Sequence, residues 1–333
     1  MKISQFVNKA LFDCETGYYR IKNPLGAEND FITAPEISQI FGEIIAAYLL
    51  QICESEKEEF NLIEMGAGRG VLMRDVLNSI SKLAKKNITS AVNFLKKAQI
   101  SIVEINSSLR EVQKQNLKGF SINWFEKFDD FLGQNSGKIF FISNELFDCF
   151  AIDQYVLTEI GWRERVIIDG KFSLAEFDKK THQEIEHEVG KLTPLGGVFE
   201  ISKSARIFME QLSKALFERG GVAINFDYGY FKNEFANTLQ ALKNHCKVDI
   251  FTANCDITAH VDFASLDLIA NKFSLNSSLV SQKDFLISLG IKEREKILIE
   301  KNPHKKQEIS VAINRLIDEN QMGELFKCHI IWK

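Results

Sequence analysis

The sequence has no C-x-x-C pair, and its six cysteines (Cys14, Cys53, Cys149, Cys246, Cys255 and Cys328) are scattered, with no histidine cluster at zinc spacing. That pattern excludes a zinc ribbon and reads as free thiols in a reducing compartment; no metal is expected. No uninterrupted apolar stretch reaches membrane-spanning length, so no membrane insertion is expected. Met1 to Cys14 carries neither a secretory apolar core nor an Arg-rich presequence, which sets the expectation of a soluble, cytoplasmic protein. Internal repeats and low-complexity segments are absent. Positive charge is not in excess: 41 basic residues stand against 45 acidic ones, for a net charge of −4 and a pI near 6.0. A nucleic-acid partner is therefore not expected, because phosphate contacts call for a basic face.

What is present is an ordinary globular composition, 45% hydrophobic and 26% charged over 333 residues. A chain of this length forms one large α/β domain with insertions, or two domains. Met1 to Asp30 reads as a short, turn-rich piece around Thr16-Gly17 and Asn23-Pro24-Leu25-Gly26. Thr33-Ala34-Pro35-Glu36 has the spacing of a helix start, with Thr33 as cap and Glu36 closing a capping box. Ile37, Ile40, Phe41, Ile44, Ile45, Tyr48 and Leu49 then recur every three or four residues, predicting one apolar stripe.

Phe60 to Glu64 predicts the first buried strand, Val71 to Lys85 the following helix, Ala98 to Ile105 a second strand and Lys138 to Ser143 a later one. Helix Ser204 to Phe217 leads through Gly220-Gly221 into a strand from Val222 to Phe226 and then Asp227-Tyr228-Gly229. Strands alternating with helices imply a parallel sheet covered on both faces. Gln154 to Phe177 alternates apolar and polar residues and reads as a β-meander insertion, and the polar stretch Asp178 to Leu195 as a loop or lid. The tail after Tyr230 reads as helix-rich, ending in a strand from Phe326 to Trp332; insertion and tail are expected to cover one side of the sheet. The expected organisation is an N-terminal segment and helix over 1–58, the first part of a Rossmann-like core over 59–150, an inserted meander or lid over 151–200, and the rest of the core with helical additions over 201–333.

Glu64-Met65-Gly66-Ala67-Gly68-Arg69-Gly70 follows a strand and precedes a helix, where glycines let the backbone turn tightly against a ligand. A dinucleotide fingerprint needs a glycine three positions after the second; Val71 stands there. The pattern E-x-G-x-G-x-G suits a methyltransferase cofactor loop better, since the carboxylate and amine of S-adenosyl-L-methionine lie against bare backbone. Glu64 either takes the ammonium or orders the loop. Glu104, ending the second strand, is placed to accept hydrogen bonds from ribose hydroxyls. Trp124-Phe125 reads either as a pair flanking the adenine or as core, the commoner role of aromatics after a strand.

Thr33-Ala34-Pro35-Glu36-Ile37-Ser38-Gln39-Ile40-Phe41-Gly42-Glu43 resembles the T-x-P-E-I-S-Q-x-F-G-E signature of MidA-like methyltransferases. Glu64 to Gly70, Val103-Glu104, Asn144 to Asp148, Gly161 to Arg165, Asp227 to Tyr230, Thr238 to Gln240, His245, Asp256 to Phe263 and Met322 to Lys327 are similar in the same order. Ala67 departs from a common proline, and Asn254-Cys255 from a common Pro-Gly turn. The resemblance implies a Rossmann-like class I methyltransferase sheet with S-adenosyl-L-methionine as cofactor. It also implies a protein arginine side chain as acceptor, by analogy a respiratory complex I subunit. It places Ser38, Gln39, Glu64, Gly66, Gly68, Gly70, Glu104, Trp124 and Asn144 toward the cofactor. Glu145 and Asp148 are expected to clamp a guanidinium, with Asp227 a further acid at a strand end. His260, between Asp256 and Asp262, is expected as a base or acceptor-orienting residue. The competing reading is a catalytically silent assembly factor that binds a client protein; oligomeric state is open.

Overall fold

The near-continuous apolar runs of the sequence become strands buried on both faces, as a parallel sheet requires. In the computed structural model, which describes residues 1–21, 33–189, 193–232 and 235–333, these are β1 (Phe60–Met65), β2 (Ala98–Val103), β3 (Ile122–Phe125), β4 (Ile139–Asn144) and β5 (Gly221–Tyr230). The sheet is completed by β6 (Val261–Asp262), β7 (Asn276–Ser281) and β8 (Phe326–Trp332). The order is β7-β8-β5-β4-β1-β2-β3, with β6 paired to the end of β5. Strands β1 to β5 pair in parallel, while β8 runs antiparallel between β5 and β7. The Rossmann-like α/β reading is borne out, and Asp227-Tyr228-Gly229 belongs to β5 rather than following it.

Successive side chains of a strand point to opposite faces, and the core divides accordingly. Leu62, Ile102 and Phe140 join Phe41, Leu49, Met73, Val76 and Ile80, from helices Gln39–Ile52 and Val71–Ala84, on one face. Ile63, Ile139 and Phe141 join Met209, Leu212 and Phe263, from helices Lys203–Arg219 and Phe263–Lys272, on the other. Each fully buried Leu, Ile or Phe adds about 1.5–3 kcal/mol. The C-terminal helices Gln282–Ser288, Ile291–Lys301 and Lys306–Ile317 extend the first face through Phe285, Ile291 and Leu316.

The meander is present as antiparallel strands Asp153–Thr158, Gly161–Ile168 and Lys171–Ala175, and Val198–Ile201 adds a fourth on the far side of the first. It packs with the N-terminal helix and the small sheet Gln240–Lys243, Cys246–Val248 and Asp256–Thr258, rather than over the main sheet.

Three local expectations are corrected. The N-terminal piece is not only turns: Ile3, Val7 and Leu11, four apart, form the buried face of helix Ile3–Phe12. This helix is tied to the meander by Ser4 N–H donating to Asp153 Oδ1 (3.0 Å) and by the Lys2–Glu164 ion pair (2.7 Å). The turn at Asn23 to Gly26 lies outside the described residues. The polar stretch from Asp178 instead contains helix Lys179–Val189, started by Asp178 accepting from Thr181 N–H (2.9 Å) and seated through Thr181 and Ile185. The signature stripe is two helices, Ala34–Ile37 and Gln39–Ile52, because Ser38 is extended and its Oγ caps the second by accepting from Ile40 N–H (3.3 Å). Thr33 precedes the first helix without a side-chain cap bond.

Candidate active site

Strand order reverses between β1 and β4, since β2 and β3 lie to one side of β1 and β4 and β5 to the other. Ligands of open α/β sheets bind in the crevice outside the strand ends at such a point. The glycine loop leaves β1 there, Glu104 follows β2, and Asn144 to Asp148 leave β4. Gly66, Gly68 and Gly70 all have left-handed φ, at 68°, 53° and 76°. A Cβ on Gly66 would also sit 3.1 Å from Leu146 Cδ1. Gly70 caps helix Val71–Ala84, so the positive end of that helix faces the crevice.

The crevice is a cavity of about 320 Å³ lined by Glu64 to Arg69, Glu104, Ile105, Leu109, Asn144 to Leu146 and Asp148. Thr33, Pro35 and Glu36 of the signature line it too, as do Asn8, Phe12 and Tyr19 of the N-terminal segment. The structure therefore brings together Glu64, Gly66, Gly68, Glu104, Asn144, Glu145 and Asp148. Gly70 lies behind the loop, where an added Cβ would meet Leu117 and Gln113 at 3.2 and 3.3 Å.

Glu104 is buried and accepts from Asn106 N–H (2.9 Å) and Gln113 Nε2 (3.2 Å); burial pushes its carboxyl up to about 7. Gln113, fully buried, also donates to Gly68 O (2.7 Å) and accepts from Trp124 Nε1 (3.0 Å). Trp124 thus braces Gln113 and does not line the cavity. Gln113 itself was missed in the sequence, where it reads as one more polar residue of a polar helix.

Glu64 accepts from the Met73 amide, and burial, then the charge of Glu104, holds it up at about 8. Its Oε2 has no donor, and the same is true of Glu36 Oε2 and Asn144 Oδ1. Three buried acceptors without donors, all on one cavity, fit a ligand that brings N–H and O–H groups, as an ammonium and a ribose do.

Around the end of β4 three acids gather. Asp227 is fully buried, and its Oδ2 accepts from the amides of Leu146 (3.0 Å), Phe147 (2.8 Å) and Asp148 (3.2 Å), while Oδ1 accepts from Tyr228 N–H (2.9 Å). Asp227 therefore holds the backbone that carries Glu145 and Asp148 and does not itself line the cavity. Glu145 has a left-handed φ of 52°, a strained backbone for a non-glycine residue, and accepts from Asn144 Nδ2 (3.0 Å). Burial and then the charge of Asp148 raise its carboxyl to about 8; burial raises Asp148 to about 6 against a hydrogen bond from Tyr228.

Ser38 and Gln39 line a neighbouring cleft of about 360 Å³, which shares Pro35, Glu36, Arg69 and Val71 with the main cavity. His260 is placed off the main cavity, in a small cleft with Glu200, Arg206 and Tyr230; its N–H donates to Thr238 Oγ1 (2.9 Å) and its ring meets that of Tyr228 edge-on at 5.6 Å. Phe12 and Tyr19 stack at 5.7 Å, and Tyr19 Oη donates to Asp256 Oδ1 (2.8 Å). No periodicity marks this aromatic wall, which exists only once the N-terminal helix is docked.

Among the described residues no helix is long and apolar enough to cross a membrane, and no cluster of His, Cys, Asp and Glu could hold a metal ion. A family described as "Putative S-adenosyl-L-methionine-dependent methyltransferase" matches residues 44–280. The chain is 27% identical over 364 residues to the protein arginine methyltransferase NDUFAF7, mitochondrial, of Bos taurus, covering 97% of this chain and 78% of that protein. The Homo sapiens protein of the same name is 28% identical over 361 residues, with 97% and 78% covered. Among solved structures, a superfamily member from Burkholderia thailandensis bound to S-adenosyl-homocysteine superposes with a TM-score of 0.85 at 22% identity, covering 100% of this chain and 88% of that one. One expectation falls here. The cytoplasmic placement conflicts with relatives named as mitochondrial, and scattered free thiols fit any reducing compartment.

Proposed function

Since the chain belongs to this family of S-adenosyl-L-methionine-dependent methyltransferases, we propose that its acceptor is an arginine side chain of a protein. The observation that carries the reading is the pair Glu145 and Asp148, side by side on the cavity wall and held there by Asp227. The names of the relatives support it, and the family resemblance offers a respiratory complex I subunit as the first acceptor to try.

The cofactor, when bound, supplies a methyl group on a sulfonium. Glu64, Gly66, Gly68, Glu104 and Asn144 would hold it, through acceptors lacking donors and through bare backbone. A guanidinium is planar, cationic and matched to carboxylates in pairs. Glu145 and Asp148 would grip its two edges, and their raised carboxyls are what such a site needs. While the site holds no cation, burial and then the charge of Asp148 keep a proton on Glu145 near neutral pH. An arriving guanidinium replaces that proton, which is released to solvent, with a positive charge of its own. Glu145, once ionised, can then accept a proton from the methylated nitrogen. Positioning of this kind is worth about 7–11 kcal/mol.

The test is transfer of labelled methyl from S-adenosyl-L-methionine to complex I subunits and to a cell extract, with mass spectrometry to locate the label. The expected product is methylarginine. Glu145→Gln and Asp148→Asn should each lower transfer by about 100-fold or more while S-adenosyl-homocysteine still binds. Label found on a small molecule or on lysine would overturn the acceptor, and full activity of both variants would overturn the clamp.

A further inference from the structure

The main cavity is lined by five carboxyl groups, of Glu36, Glu64, Glu104, Glu145 and Asp148, and Arg69 is the only Lys, Arg or His among its described lining residues. Beside the amides of the glycine loop, that cation is the one charged side chain on the described lining that can meet a ligand's carboxylate. Arg69 stands where the main cavity meets the cleft behind the signature helix, and Glu36 stands beside it. The pair is loose: Arg69 Nη1 lies 3.7 Å from Glu36 Oε1, well beyond the 2.7–2.9 Å of a tight charged hydrogen bond. Glu36 is nearly covered, and its second oxygen has no donor at all. Arg69 is fixed at its backbone, since Asn116 Nδ2 donates to Arg69 O at 2.9 Å, while its side chain stays 41% exposed.

A slack ion pair with a spare acceptor on one side and spare donors on the other is complementary to a zwitterion. The amino-acid end of the cofactor carries its ammonium and carboxylate on one carbon, so two opposite charges must be met by neighbouring side chains of inverse sign. We propose that Glu36 and Arg69 read that end of the cofactor, Glu36 taking the ammonium and Arg69 the carboxylate. Ser38 and Gln39 line the neighbouring cleft, which shares Glu36 and Arg69 with this cavity. The proposal rests on the cofactor and not on the acceptor, so a failed arginine assay leaves it standing.

Calorimetric titration of the purified full chain separates charge reading from mere shape. The probes are S-adenosyl-homocysteine and 5′-methylthioadenosine, which keeps the nucleoside and thioether but lacks the amino-acid end. Glu36→Gln and Arg69→Leu should each weaken S-adenosyl-homocysteine by about 10- to 100-fold and leave 5′-methylthioadenosine within about twofold of the parent. Arg69→Lys, which keeps the charge, should recover part of the loss. Unchanged S-adenosyl-homocysteine binding in either variant overturns the proposal. A parallel loss of both ligands overturns it too, because damage to cavity shape would then account for the effect.

Discussion

Replacing Asp227 with asparagine changes almost no volume and puts one structural claim at risk. Four backbone amides end on this carboxylate, three of them on Oδ2. An asparagine can turn its carbonyl toward Leu146, Phe147 and Asp148, but its NH₂ then faces the Tyr228 N–H, leaving a buried donor without an acceptor at a cost of about 1–3 kcal/mol. The three remaining bonds pass from charge-assisted to neutral, losing about 0.5–1 kcal/mol each. Against this, burial and then the charges of Asp148 and Glu145 push the Asp227 carboxyl well up, and removing it relieves about 1–2 kcal/mol of that desolvation and repulsion. The terms centre on a net loss of about 2–3 kcal/mol, a large share of a typical stability, which at about 2.1 cal/mol/K of unfolding entropy per residue should lower the melting midpoint by about 3–4 °C. Thermal unfolding followed by circular dichroism at fixed protein concentration measures it. Methyl transfer should fall further than S-adenosyl-homocysteine affinity, because the slackened backbone carries Glu145 and Asp148 rather than the glycine loop. A midpoint within about 1 °C of the parent would refute the idea that Asp227 braces this loop.

Two other perturbations probe the cofactor end. Glu64 and Glu104 have folded-state values of about 8 and about 7, above the roughly 4.3 of an unfolded glutamate. The folded chain then holds more protons than the unfolded one, so their contribution is fully present below about pH 4 and is lost as pH rises toward about 8. The melting midpoint of the ligand-free protein should decline between about pH 5 and 8, and Glu64→Gln should flatten the decline; a slope as steep as the parent's in that variant would speak against it. Gln113→Leu should weaken S-adenosyl-homocysteine by about 10- to 100-fold in calorimetry, since Gly68 O, Glu104 and the Trp124 indole all lose their partner. Unaltered affinity would remove Gln113 from the site's support.

The cofactor half of the site was legible because its signals are local. Left-handed backbone at Gly66, Gly68 and Gly70 calls for glycine whatever surrounds it. A carboxylate closing a buried strand shows in a run of eight residues, as with Glu104. Gly70 could be recognised as part of the loop, but not that its face meets Leu117 and Gln113. The stripe expected after Thr33 packs into one core, but its helix is broken for a local reason that pattern alone hides: the hydroxyl of Ser38 offers the backbone a cap in place of a continued turn. The stretch after Asp178 is not all loop, because two buried residues four apart, Thr181 and Ile185, suffice to seat a short polar helix.

By itself the sequence determined the class of fold, the place of the glycine loop and the acids available at the strand ends. Periodicity, backbone permissiveness and the apolar runs of a two-sided sheet are properties of neighbouring residues. Tertiary structure alone decided what those acids do. Asp227 meets the loop it braces across about 80 positions of chain, Tyr19 meets Asp256 across 237, and the aromatic wall forms only when the first helix docks. His260 and Trp124 were drawn toward the site by their neighbours in sequence, yet packing turned one into a separate cleft and the other onto Gln113. A side chain's partner is set by which strands lie side by side, and strand order is a property of the whole chain.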